Sequence, residues 1–394
     1  MKANVLAKLT ELHPEMIEIR RDLHMHPELS FQEKRTAAVI AEYQRQLGLE
    51  VQTGVGGNGV VAKLTGGKPG KTVAIRADFD ALPIEEANDV PYKSKNSGVM
   101  HACGHDAHTA IALGLSKAFV EYKDELKGNI VFIHQHAEES KPGGARDMIA
   151  DGCLEGVDVI FATHMENYTS VGNMLYSKSH ILAASDEFEI KIKGLGGHAA
   201  FPQDTKDALV IGTQLANNLQ SIISRRVDPL KSAVVTIGAF RAGETHNVIP
   251  ETATMKGTVR SFDEDVRDSI SKSIEKITQH TCQMYDAEYE MTYDRGFPAT
   301  KNDESMTELL VDSAANILGD ENLEEIPPNM GGEDFSYFLQ QVPGSYFFTG
   351  SANADKGIVH PYHHPKFDID EDALLNGSKV LAAVTLDYLQ KYNG

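Results

Sequence analysis

A change of hydrophobic rhythm partway along the chain limits what it can fold into. In the first third, helical patterns over Pro14–Leu23, Lys34–Leu47 and Thr109–Tyr122 are separated by short apolar runs at 72–75, 129–133 and 159–161. Continuous apolar runs between helices suit strands covered on both faces, which implies an α/β layer architecture. From Phe188 the rhythm differs: Phe188, Ile190 and Ile192 alternate with Glu189, Lys191 and Lys193, as in a sheet with one wetter face. Ile211, Leu215, Leu219 and Ile222 then recur at helical spacing, followed by strand-like Ala233–Gly238 and Ala253–Val259. A second helix carries Val266, Ile270, Ile274 and Ile277, and Ala287, Tyr289, Met291 and Tyr293 alternate again. Strand, helix, strand, strand, helix, strand is the split βαβ order of a ferredoxin-like α+β domain. It is placed at 184–294, closed by the Gly/Pro break at Arg295–Pro298. The 394 residues exceed the roughly 250–300 at which one core stops growing, so the remainder, 1–183 and 295–394, is expected to form a discontinuous α/β domain around the insertion.

Charge and cysteine content narrow the function. A formal net charge of −20, with no basic stripe, argues against nucleic acid as a partner. No run approaches the ~18 apolar residues of a membrane span, and the start Met1–Val5 lacks the apolar core of a signal peptide, so a cytoplasmic location is expected. Three cysteines, an odd number, fit a reducing compartment and make a special cysteine a ligand rather than a bridge.

Chemistry-bearing residues gather where the apolar runs end, the edge at which such sheets bind ligands. Met100–His108 packs the thiol of Cys103 and the imidazoles of His101, His105 and His108 into one short string. Thiolate and imidazole both bind zinc-like ions, although a polar helix start would look similar. The absence of a CxxC pair argues against a closed zinc finger. After the run at 129–133 come Glu138 and Glu139, adjacent carboxylates that point in different directions, so that one can ligate a metal while the other faces a water. Asp78 and Asp80 follow the run at 72–75, where a buried aspartate can orient a ligating imidazole or cap the next segment. His164 ends the run at 159–161, and His363 and His364 lie near the C-terminus. Each alone suits an ordinary polar residue; their recurrence at separate strand ends predicts one metal-binding pocket.

The strings RRDLHMHPELSFQE, RADFDALP, MHACGHDAHTA, HAEES followed by GGA, GLGGHAAFP, HNVIP, GTVRSFD, GGEDFS and HHPKFD, in order from about residue 20 to 370, resemble the M20 metallopeptidase family. The likeness is to its aminoacylase and amidohydrolase subgroup, which includes hippurate hydrolases, indole-acetyl-amino-acid hydrolases and N-acetyl-diaminopimelate deacetylases. The resemblance implies a mixed-sheet catalytic domain with the insertion acting as a lid and dimerisation domain. It implies two divalent ions per subunit (Zn, Mn, Co or Ni) on Cys103, His105, Glu139, His164 and His363, with Glu138 as general base and Asp80 in support. It further implies an oxyanion donor in His198, often reaching a partner subunit's site, and a substrate-carboxylate clamp in Asn247 and Arg260. The expected reaction is hydrolysis of a small N-acyl amino acid or dipeptide by a homodimer. A dipeptidase of the same family, or a non-catalytic metal-binding relative, is the alternative. Two departures stand out: Gln135-His136 replaces the usual Gln-Pro before the glutamates, and Met165–Thr169 replaces a Pro-rich turn after His164, so the resemblance does not carry over to the acyl-side pocket. His136, His360 and His364 are rival ligands, and His24 and His26 are expected to be structural.

Overall fold

The apolar runs assemble into an eight-stranded sheet in the computed structural model of the protein, which describes residues 1–393. Its order is Glu50–Val55 (β1), Gly59–Thr65 (β2), Lys127–Gln135 (β4), Lys68–Asp78 (β3), Val159–Ser170 (β5), then Gly344–Ala352, Met174–Tyr176 and Leu323–Glu325. β3 lies parallel to β4 and β5, and Gly344–Ala352 parallel to β5, while β1 and β2 add antiparallel pairings at one side. The sheet is therefore mixed, as expected. The second half of β3, most of β4 and the first nine residues of β5 are buried, which is why these runs are continuously apolar instead of alternating.

The helices Lys2–Met25 (α1), Lys34–Gln46 (α2), His105–Glu121 (α3) and Asp372–Tyr392 flank the strands. Leu9 and Met16 of α1, Leu115 and Phe119 of α3 and Leu381 and Val384 of the last helix share a core with Phe132, Phe161 and Phe347. α1 starts twelve residues before the sequence pattern placed it and continues through Pro14. Buried Val5, Leu9, Leu12 and Met16 extend the apolar stripe upstream, and their burial outweighs the ~3 kcal/mol that proline costs inside a helix. α1 lies against α3 at Gly114, where a Cβ would stand 2.4 Å from the Met16 sulfur, so a larger residue there would have to push the Met16 side chain aside.

The chain divides into two compact units, 1–181 with 301–327 and 334–394, and 182–300 with 328–333. In the second unit, Ala184–Lys193, Ala233–Ala242, Thr252–Ser261 and Glu288–Asp294 form an antiparallel sheet in which the first strand lies between the third and fourth. Helices Ala208–Arg225 and Glu264–Met284 start at Asp207 and Asp263, whose carboxylates accept the exposed N–H groups of each first turn. Ile211, Leu215, Leu219, Ile270 and Ile274 of these helices pack on Phe188, Ile190 and Ile192. The polar alternates of Ala184–Lys193 stay wetter, which explains its period-two pattern.

One ion pair ties this unit together. Asp186 is buried, accepts the Arg267 Nε–H at 3.0 and 3.1 Å, and accepts the Tyr293 hydroxyl at 2.8 Å. Asp186→Ala would leave the Arg267 guanidinium buried without its main counter-charge, at a cost of about 3 kcal/mol of unfolding free energy. Urea titration of the purified variant measures this. A loss below about 1 kcal/mol would show that the other contacts of Arg267 suffice.

Candidate metal centre

The parallel strands end level with one another. Asp78 pairs with Gln135 and Arg76 with Ala162, so residues 78–80, 136–139 and 164 lie along one edge of the sheet. α3 begins at the same edge with His105, preceded by Gly104 in the left-handed region (φ +91°). A Cβ on Gly104 would come within 3.0 Å of the Met165 side chain, so glycine allows the turn that places Cys103 and His105 on either side of it.

Five donors converge here. Cys103 Sγ lies 3.3 Å from His164 Nε2, and Glu139 Oε1 lies 3.3 Å from His363 Nε2 and 3.9 Å from His105 Nε2. Cys103, His105 and His164 form one group with ligand atoms within 4.8 Å of one another, and Cys103, Glu139 and His363 form another, with Cys103 common to both. Glu138 joins His105 and Glu139 in a third such group, with its Oε2 4.0 Å from His105 Nε2. His105 Nε2 and Glu139 Oε1 are buried without hydrogen-bond partners, a costly arrangement for two polar atoms unless a cation sits between them. One thiolate, three imidazoles and a carboxylate form a donor set that zinc and its neighbours accept, so these residues fit divalent metal.

A surrounding layer of hydrogen bonds orients these donors. Asp80 accepts His105 Nδ1–H at 3.1 Å, Ser30 Oγ–H at 2.7 Å and the Glu139 N–H at 3.0 Å. Burial alone would raise Asp80, but these donors hold it below the usual carboxylate range. The His105 bond leaves Nε2 as the nitrogen free to meet a metal. His164 Nδ1–H donates to its neighbour's carbonyl, Met165 O, at 2.7 Å and likewise presents Nε2. His108 is spent differently: Nδ1 bonds Asp78 at 2.5 Å and Nε2 accepts the Met165 N–H at 2.9 Å, so neither nitrogen is left for a metal. His363 adopts φ +64° and its N–H donates to Ala102 O at 2.7 Å. Ala137, just before the paired glutamates, also lies in the left-handed region, at φ +53°. Such a conformation costs a non-glycine residue roughly 1–2 kcal/mol, so the surroundings must enforce both.

The rival histidines fall outside every metal-competent group among the described residues. His136 packs edge-on against Phe31, and His360 stacks on His364 at 4.4 Å. His24 is buried between Asp106 and Glu86; burial opposes its charge, but the Asp106 bond and charge and Glu86 raise it to about 9. His198, Asn247 and Arg260 belong to the second unit. His198 pairs with Val248, and the Ala199 N–H donates to Asn247 O at 3.1 Å, so these two functional candidates are neighbours. The exposed His198 ring accepts the Ala200 N–H at Nδ1, which leaves Nε2–H as a donor. Arg260 is half-buried on Thr252–Ser261 with Nε donating to Met330 O at 3.2 Å.

Asp78 has a larger part than its sequence signal suggested. It takes Arg76 Nη1–H at 2.6 Å beside its bond to His108, and Arg76 also reaches Asp334 at 3.1 Å and Gln135 at 2.9 Å. The string GGEDFS contained Asp334, but nothing local tied it to a strand end some two hundred residues earlier.

The chain is similar to known proteins along most of its length. The profile described as peptidase family M20/M25/M40 matches residues 74–387. YhaA of Bacillus subtilis (strain 168), assigned to the amidohydrolases by name, is 52% identical over 376 residues, covering 95% of each chain. The N-acyl-L-amino acid amidohydrolase of Geobacillus stearothermophilus is 44% identical over 304 residues, 77% of this chain and 82% of its own. The crystal structure of Bacillus subtilis YXEP, described as a dinuclear metal binding peptidase from the M20 family, superposes with a TM-score of 0.83 at 33% identity, covering 97% of this chain and 99% of that one.

Protons compete with metal at this cluster. In the metal-free protein burial opposes a charge on His105, but Asp78, Asp80 and Glu139 outweigh it and raise it to about 10. Burial, reinforced by Glu139, Glu138 and Asp78, pushes the Cys103 thiol well above its ordinary value. Both groups therefore hold protons at neutral pH, and binding a cation must release them. Metal affinity is expected to rise steadily from about pH 6 to 8, with proton release visible by calorimetry in buffers of different ionisation enthalpy. An affinity independent of pH and buffer would contradict the assignment of these two ligands.

Proposed function

The chain belongs to the peptidase family M20/M25/M40, and on that premise we propose that it hydrolyses the amide bond of N-acyl amino acids, using two divalent ions held by Cys103, His105, Glu139, His164 and His363. The observation that carries the reading is the pair of ligand groups sharing Cys103, with Glu138 beside Glu139 at their edge. The name of the Geobacillus relative supports N-acyl amino acids as substrates, and the dinuclear description of YXEP supports two metals. Zn, Mn, Co and Ni all suit this donor set.

When bound, the two ions lower the pKa of a water and polarise the scissile carbonyl. Glu138 takes the proton of the attacking water and passes it to the departing nitrogen. Asp80 holds His105 in one tautomer and, through the Glu139 N–H, keeps the glutamate pair in register with it. His198 supplies its Nε2–H to the developing oxyanion. Arg260 and Asn247 bind the carboxylate of the amino-acid half, a task for which a guanidinium fork is well shaped.

Residues 184–294 serve as lid and as the surface of a homodimer in this proposal. Support comes from Ala233–Ala242, an edge strand with one side unpaired, and from exposed Leu209, Val210 and Phe240 in the same unit. A cytoplasmic location is supported by three free, buried cysteines. No helix among the described residues is long and apolar enough to cross a membrane.

Glu138→Gln is expected to keep both metals, by elemental analysis, and to lower kcat on N-acetyl, N-benzoyl or N-succinyl amino acids by about 10²–10⁴-fold. Full turnover in that variant would remove Glu138 from its role, and a preference for dipeptides with a free amino terminus would replace the substrate class. Sedimentation at micromolar concentration is expected to give a dimer; a monomer that remains fully active would refute both the assembly and any action of His198 across it.

A further inference from the structure

Residues 27–33, between α1 and α2, supply none of the proposed metal ligands, yet they are fastened to both strand ends that carry the site. Leu29 forms a parallel bridge with Ala81, the Ala81 N–H donates to Glu28 O at 2.9 Å, and Ser30 reaches Asp80 at 2.7 Å. The segment is itself anchored on α2, because the Glu28 carboxylate accepts the N–H groups of Arg35 at 3.0 Å and Thr36 at 2.8 Å. At its end Glu33 is fully buried. Its Oε1 accepts the Ala137 N–H at 2.8 Å and its Oε2 accepts the Asn58 side-chain amide at 2.9 Å.

Ala137 is the left-handed residue that separates the end of β4 from Glu138 and Glu139. In that conformation its N–H turns away from the sheet ladder, and a buried N–H needs an acceptor. Glycine would adopt φ +53° unaided, whereas alanine depends on what holds it. We propose that Glu33 is a positioning residue for hydrolysis: its buried carboxylate, clamped by Asn58, holds Ala137 in the left-handed region and so sets the directions in which Glu138 and Glu139 leave β4. The proposal rests on the function given above, in which the two glutamates must face different partners. A relaxed turn would misdirect both.

The test compares metal-loaded Glu33→Ala, Glu33→Gln and the double variant Glu33→Ala/Ala137→Gly. Glu33→Ala is expected to lower kcat about 10–100-fold with KM changed by less than about 3-fold, and to weaken binding of Mn²⁺ measured by calorimetry. Glu33→Gln, whose side-chain oxygen still accepts the Ala137 N–H, is expected to keep kcat within about 5-fold of wild type. In the double variant glycine restores the turn without help, and about 10-fold of the lost kcat and the Mn²⁺ affinity should return. A Glu33→Ala protein with unchanged kcat, or one whose losses Ala137→Gly fails to recover, would overturn the proposal. If the wild-type protein hydrolyses no N-acyl amino acid or dipeptide, the functional reading fails, and Mn²⁺ affinity across the same variants still decides the positioning role. Should Glu33→Ala not fold, Asn58→Ala releases the other oxygen of the carboxylate; about 3–10-fold loss of kcat recovered by Ala137→Gly supports the clamp, and no loss refutes it.

Discussion

Burying carboxylates at one edge of a sheet is costly unless each is met by a donor or a cation, and this requirement organises the first unit of the protein. Asp78, Asp80, Glu138 and Glu139 lie at the ends of two neighbouring parallel strands. Asp78 is answered by Arg76 and His108, and Asp80 by His105, Ser30 and a backbone N–H. Glu139 Oε1 has no hydrogen-bond donor and faces His363, His105 and Cys103, which makes it the point where a metal is needed. The cluster is therefore half balanced by protein and half left for cations. That division separates a metal site from a purely structural ion network.

The requirement reaches far into the chain. The loop after α1 holds Asp80 and Ala137, the start of α3 brings His105 with Cys103 just before it, and the segment near 363 closes the cluster through Ala102. The strained φ angles at Ala137 and His363 fall at the places where Glu139 and His363 leave the regular path of the backbone to reach the cluster. The family likeness and the geometry agree in this unit for a physical reason: RADFDALP, MHACGHDAHTA and HAEES are segments that meet at the sheet edge. The intervening residues mostly fill the core, where volume and pattern matter more than identity.

The second unit obeys a simpler rule. Its sheet is covered on one face by two amphipathic helices, so period-two and period-3.6 patterns survive in the sequence and its order of elements could be read directly. In the first unit the central strands β3, β4 and β5 are buried along most of their length and lose alternation; only their length and flanking turns identified them. The start of α1 went unread because Pro14 interrupts its pattern, while the burial that sustains the helix comes from α3 and the C-terminal helix.

From sequence alone came the fold class, the order of elements, the exclusion of a disulfide framework, and a short list of chemically capable residues at strand ends. These depend on local periodicity and residue chemistry, which are written along the chain. The family resemblance already singles out His105 and His363; only the tertiary structure adds why His108 is spent and His363 lies at Glu139, and it gives Asp78, Arg76 and Asp334 one shared network. Those arrangements depend on which nitrogen is already spent and which strand ends lie level. Such facts are set by contacts between residues tens to hundreds of positions apart, where no local pattern records them.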